Sequence, residues 1–160
     1  MKKTVFLSLA LVAILPLMVS CQREPQDNER PTVELIAPQE GAKLKIGGEH
    51  GVHFEMNLRD NVMLKSYKIE IHNNFDNHSH ETKTLRHGDE KPFFFQKEYD
   101  LSGKKEDAIH HHDIVIPENA AEGKYHLLVQ VLDAAGNQTT VARNIELTHD
   151  AEEHHHHHHE

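Results

Sequence analysis

Val52-His53-Phe54-Glu55-Met56-Asn57-Leu58 alternates strictly, with Val52, Phe54, Met56 and Leu58 on one face and His53, Glu55 and Asn57 on the other. Successive strand side chains leave on opposite sides, so this pattern predicts a β-strand with one buried face. The same period continues outward in both directions. After the Asp60-Asn61 turn, Tyr67, Ile69 and Ile71 oppose Lys68, Glu70 and His72, giving the next strand. Upstream, Thr32 to Ile36 is closed by Ala37-Pro38 and reads as a first edge strand. Downstream, Phe93 to Tyr99 forms a fourth strand, and Ile114 and Ile116 before Pro117 mark a fifth. Gly123-Lys124-Tyr125 opens a sixth, with Tyr125, Leu127, Val129 and Val131 on one face. Asp133 to Asn137 turns the chain into a seventh carrying Val141, Ile145 and Leu147. Short strands at this spacing, with no sustained 3.6-residue pattern, predict an all-β antiparallel sandwich of about seven strands across residues 31–148. Tyr125 resembles a tyrosine corner, whose hydroxyl ties its strand to the preceding loop.

The chain has 160 residues, 17 Lys+Arg against 26 Asp+Glu, a net charge of −9, one Cys, no Trp and 17 His. That length suits one core. The negative balance opposes nucleic acid and anionic lipid surfaces as partners and favours cations. A single Cys excludes a disulfide framework and Cys-rich metal sites, leaving His and carboxylates as the available ligands.

Met1-Lys2-Lys3 and the apolar run Thr4 to Val19, broken by Pro16, read as an export signal over residues 1–20. The run ends in Leu17-Met18-Val19-Ser20-Cys21, which resembles a bacterial lipobox and makes Cys21 the expected lipid-bearing amino terminus. Acyl chains buried at about 0.8 kcal/mol per methylene would be the only membrane attachment. The polar, proline-bearing segment 21–30 reads as a flexible, solvated tether. The expected location is the cell envelope, as an outer-membrane lipoprotein facing the periplasm or the cell surface.

PTVELIAP at residues 31–38 and GKYHLLVQVLDAAGN at 123–137 resemble bacterial immunoglobulin-like domains. Together with the lipobox, HNNFDNHSH and IHHHDIVIP, they also resemble an uncharacterised lipoprotein family of Gram-negative anaerobes, known only as a domain of unknown function. The resemblance implies fold and location but no activity.

The chemistry rests on the histidines. His78 and His80, two residues apart in extended chain, can lean onto one ion across roughly 6.6 Å. In the immunoglobulin strand order the third and sixth strands are antiparallel neighbours, so His72 falls near His126, both outward. His72, His78, His80 and His126 are therefore one expected metal site, with Asp76 and His87 in reserve. His110, His111 and His112 are a second candidate group, with Asp113 as an additional ligand. His110 and His112 share one strand face and His111 and Asp113 the other. With the fifth strand starting near Ile114, this group is expected at the opposite end of the sandwich from His72. If the connectivity departs from the immunoglobulin order, it could instead complete the first site. His50, His53, His149 and, unless drawn in from reserve, His87 read as solvated.

His154, His155, His156, His157, His158 and His159 lie in an expected disordered tail, 149–160, that is metal-binding by composition whether native or a purification tag. Glu160 after the run and the uncleaved signal favour a native tail. Asp60, Asp133 and Asn137 read as turn formers, with calcium ligation as the alternative.

No HExxH, GxSxG, phosphate loop, dinucleotide fingerprint or EF-hand is present, so an enzyme is not expected. The reading is a lipid-anchored protein that captures or hands over a transition metal, zinc before copper or nickel, with an outer-membrane importer as a plausible partner. The alternative is an adhesion or assembly module binding a protein or glycan, with incidental surface histidines.

Overall fold

The computed structural model describes residues 26–74 and 90–152. Eight strands are found among them: β1 (Thr32–Ala37), β2 (Ala42–Lys45), β3 (Val52–Arg59), β4 (Leu64–Asn73), β5 (Phe95–Asp100), β6 (Glu106–Ile114), β7 (Gly123–Asp133) and β8 (Gln138–Thr148). They form two sheets, β1-β3-β6 and β2-β8-β7-β4-β5. Every pairing of strands is antiparallel except that of β2 with β8. The all-β sandwich expected from the alternation is the fold, and it is consistent with the immunoglobulin-like class.

The buried faces are the apolar ones. Phe54, Met56 and Leu58 of β3 meet Tyr67, Ile69 and Ile71 of β4 and Tyr125, Leu127, Val129 and Val131 of β7 in one cluster, closed by Ile145 and Leu147 of β8. Each such side chain contributes on the order of 1.5–3 kcal/mol of burial, and that sum sets which face of every strand must look outward.

Two elements differ from the sequence reading. Strand β2 is additional; only four residues long, it extends the five-stranded sheet by pairing Leu44 with Leu147. More consequentially, the fifth strand of the reading is not a segment starting near Ile114. It is β6, which begins at Glu106 and ends at Ile114. His110 to His112 thus lie in the last part of the strand, at the same end of the sandwich as His53, His72 and His126, not the opposite end. Polar residues over 106–113 hid this strand, since at a sheet edge its neighbours bury little of it.

Tyr125 is fully buried. Its hydroxyl donates to the Ala121 carbonyl at 2.8 Å and accepts the Phe93 N–H at 3.1 Å, tying β7 to its preceding loop and to the approach of β5. Thr148 and the backbone N–H of His149 both donate to Glu122 Oε1, and Ala151 is 9% exposed, so residues 149–152 stay against the sandwich.

Removing the Tyr125 hydroxyl leaves a buried donor and a buried acceptor without that partner. Tyr125→Phe is expected to cost about 1–3 kcal/mol, read as a lower midpoint in urea with unchanged slope; an unchanged midpoint would mean that these bonds contribute nothing net.

Candidate metal centre

The packing of β3 against β6 builds the site. Met56 pairs with Ile109 and Glu55 with His110, so His110 faces outward beside Glu55. Phe54 pairs with His111, which faces inward. Strict alternation would then turn Ile114 outward, yet Ile114 pairs with Val52 and is fully buried. A register shift between Val52 and Phe54 resolves this by giving β6 one more residue than β3. His112 and Asp113 share the space opposite His53, so His112 keeps the outward face of His110 while Ile114 returns to the core.

Gly51 lets the chain enter this arrangement. Its φ is 72°, and a Cβ there would stand 2.2 Å from the carbonyl oxygen of His112. Only glycine brings the start of β3 this close to the irregular part of β6.

His53, His110 and His112 meet on the outer face of the three-stranded sheet. Ring centroids are 4.8 Å apart for His53 and His110, 5.4 Å for His53 and His112, and 5.3 Å for His110 and His112. One ring nitrogen of each lies within 4.8 Å of the others, so the group can hold a metal ion. His53 Nε2 lies 3.2 Å from Glu55 Oε2, and His53 Nδ1 lies 3.2 Å from His110 Nε2. A carboxylate only accepts, so His53 carries its proton on Nε2 and turns the Nδ1 lone pair toward His110. A carboxylate behind an imidazole is the arrangement that orients metal-ligating histidines.

His111, adjacent in sequence, plays a different part. Its ring stacks 4.9 Å from Phe54 and 5.0 Å from Tyr99, between the two sheets. Its Nε2 is buried with no hydrogen-bond partner, and burial pushes its pKa below the usual imidazole value. Asp113 turns toward β5, where Lys97 Nζ (2.5 Å) and Tyr99 Oη (3.0 Å) donate to Oδ2 and hold its carboxyl below the usual carboxylate range. Neither residue is in the three-histidine group.

His72 and His126 are Cα partners across β4 and β7, as the strand order implies, with ring centroids 5.5 Å apart. His72 Nδ1 lies 3.2 Å from Glu70 Oε1, and His126 Nε2 lies 2.7 Å from Asn74 Nδ2. They occupy the outer face of the five-stranded sheet, on the far side of the sandwich from His53. Asp76, His78, His80 and His87, the rest of that expected site, lie outside the described residues, as do Cys21 and His154 to His159. Sequence reading missed His53. In the immunoglobulin order the second and fifth strands are neighbours, so extending β6 back over the histidine triplet would have placed His53 beside it.

The model of the family described as a domain of unknown function (DUF4625) matches residues 19–148. The chain belongs to that family. The DUF4625 match includes His53, His110 and His112 and stops before the His154–His159 run. No curated protein matches the chain.

The position of His111 has a consequence for pH. Its folded pKa is depressed, whereas an exposed imidazole titrates near pH 6.5, so below that value the unfolded chain takes up the proton first. The associated stability is complete above about pH 6.5 and is lost as pH falls toward the folded pKa. In chelator-treated protein, His111→Phe keeps the aromatic stack and removes the titrating group. Its melting temperature should fall less between about pH 7.5 and 5.5 than that of the wild type; an equal or larger fall would contradict the buried neutral imidazole.

Proposed function

We propose that this protein captures a transition metal ion, zinc by ligand type, at His53, His110 and His112 and passes it on, working as a lipid-anchored binder of the cell envelope and not as a catalyst. The carrying observation is the convergence of three ring nitrogens within 4.8 Å, with Glu55 fixing the tautomer of one of them. Zinc takes four ligands at about 2.0–2.3 Å. Three imidazoles therefore leave a position open, and an open position allows another ligand set to take the ion over. Side-chain exposure points the same way: His53 is 18% exposed, and His110 lies on the surface, so the ion would be reachable from solvent.

In metal-free protein the His53 Nδ1 lone pair accepts from His110 Nε2–H. Binding requires His110 to shift that proton to Nδ1, which frees both facing nitrogens as donors. His53 needs no such shift, because Glu55 holds its proton on the far side. The anchor at Cys21, the His154–His159 run as a loose collector of ions, and an outer-membrane importer as recipient complete the proposal. Hard cations such as magnesium are poor competitors at a nitrogen site.

Zinc calorimetry on a chain ending at Glu152, which lacks the His154–His159 run, tests it. Saturable binding is expected at neutral pH, and His53→Ala, His110→Ala or His112→Ala should each remove it or nearly so. Glu55→Gln should weaken it by about 10–100-fold. His72→Ala with His126→Ala should leave it unchanged. Because protons and the metal compete for the same imidazole nitrogens, binding should weaken on acidification. Binding indifferent to all three substitutions would remove the proposal.

A further inference from the structure

The opposite end of the sandwich carries a second group of different chemistry. Asp60 follows the last residue of β3, Asp133 is the last residue of β7, and Asp27 precedes β1. One carboxylate oxygen of each lies within 4.8 Å of the others. Two of the three are removed from solvent: Asp60 is 5% exposed and Asp133 is 0% exposed.

Turn formation accounts for part of this. Asp60 Oδ1 accepts the N–H groups of Val62 and Met63, and Asp133 Oδ1 accepts those of Gly136 and Asn137. Asp133 Oδ2 accepts from the Asn137 amide at 2.7 Å. It does not account for Asp60 Oδ2, which is buried and has no hydrogen-bond partner. A capping carboxylate needs one oxygen for its turn, and a second buried oxygen without a donor is destabilising, the more so when charged.

Among the described residues no side-chain cation pairs with the group. Lys104 and Lys105, at the same end, are turned to Asp107 and to the Asn61 carbonyl. Three converging carboxylates, two of them buried, repel one another unless a counterion sits among them.

We propose that Asp27, Asp60 and Asp133 bind a hard divalent cation, calcium by ligand chemistry, which ties the segment before β1 to the ends of β3 and β7. All the donors are oxygens, the set hard cations prefer and imidazole-seeking metals do not. Asp27 is placed for this role: Asn61 Nδ2 donates to its Oδ1 at 3.1 Å, and Asn137 Nδ2 donates to its carbonyl at 3.2 Å. The amides position the carboxylate without supplying charge. The site is separate from the three histidines, which sit roughly 23 Å away along β3 at about 3.3 Å per residue.

Calcium titration of the full chain after chelator treatment tests this, by calorimetry and by thermal shift. Saturable binding is expected with Kd near 10⁻⁴–10⁻³ M or tighter, the range of extracellular modules, together with a rise in melting temperature. Asp60→Asn keeps an oxygen for the Val62 and Met63 N–H groups and turns the unpartnered one into an amide nitrogen; it should abolish both responses. Asp27→Ala lies outside the strands, so it leaves the fold intact, and it should weaken calcium binding at least about tenfold. His110→Ala should bind calcium as the wild type does. Absence of saturable binding by the full chain, binding unchanged in Asp27→Ala, or loss of calcium binding in His110→Ala would each overturn the assignment.

Discussion

The pairing of β3 with β6 is the constraint on which the candidate chemistry depends. Val52 and Ile114 must be inward on one side of the irregular register, and Phe54 with Met56 must be inward on the other. Those burials are worth several kcal/mol together, far more than any preference of a histidine for one side of a strand. His53, Glu55, His110 and His112 are placed outward as the residue of that requirement. The extra residue in β6 then decides the chemistry. It lets two histidines of the triplet share a face with His53 while the strand still delivers Ile114 to the core.

The same strand directions separate two kinds of donor. His53 stands near the beginning of β3 and Asp60 just past its end. Nitrogen donors therefore gather at one end of the sandwich and oxygen donors at the other, with the apolar core between them. On the proposed anchoring at Cys21, only five residues separate the lipid from Asp27, so the carboxylate end would be the one nearer the membrane. The histidine end would then face away from the membrane, where an exchange partner could reach it. A cation among the carboxylates would hold Asp27 to the ends of β3 and β7, independently of what the histidines carry.

Much of the fold was legible because three strands bury one full face. Along β3, from Tyr67 to Ile71 of β4 and from Tyr125 to Val131 of β7 the inward positions are apolar, so period two runs unbroken there, and pairing β4 with β7 puts His72 opposite His126 as the strand order implies. Strand β6 was obscure for the converse reason. Its inward positions include His111 and a half-buried Ile109, because an edge strand has only one lateral neighbour to cover it. The register shift resets parity between His111 and Ile114, which no count of alternating residues detects. His53 was missed because a single outward histidine is informative only once its cross-strand neighbours are known. Asp27 was missed because it sits in a segment with nothing apolar to bury, and it is drawn to the sandwich by amide hydrogen bonds.

The three-histidine centre is tested most directly by anomalous diffraction at the zinc absorption edge from crystals grown with zinc. A peak is predicted about 2.0–2.1 Å from ring nitrogens of His53, His110 and His112. The contradicting result is those three rings without a peak while zinc occupies another position in the same crystal, such as the His72 and His126 pair.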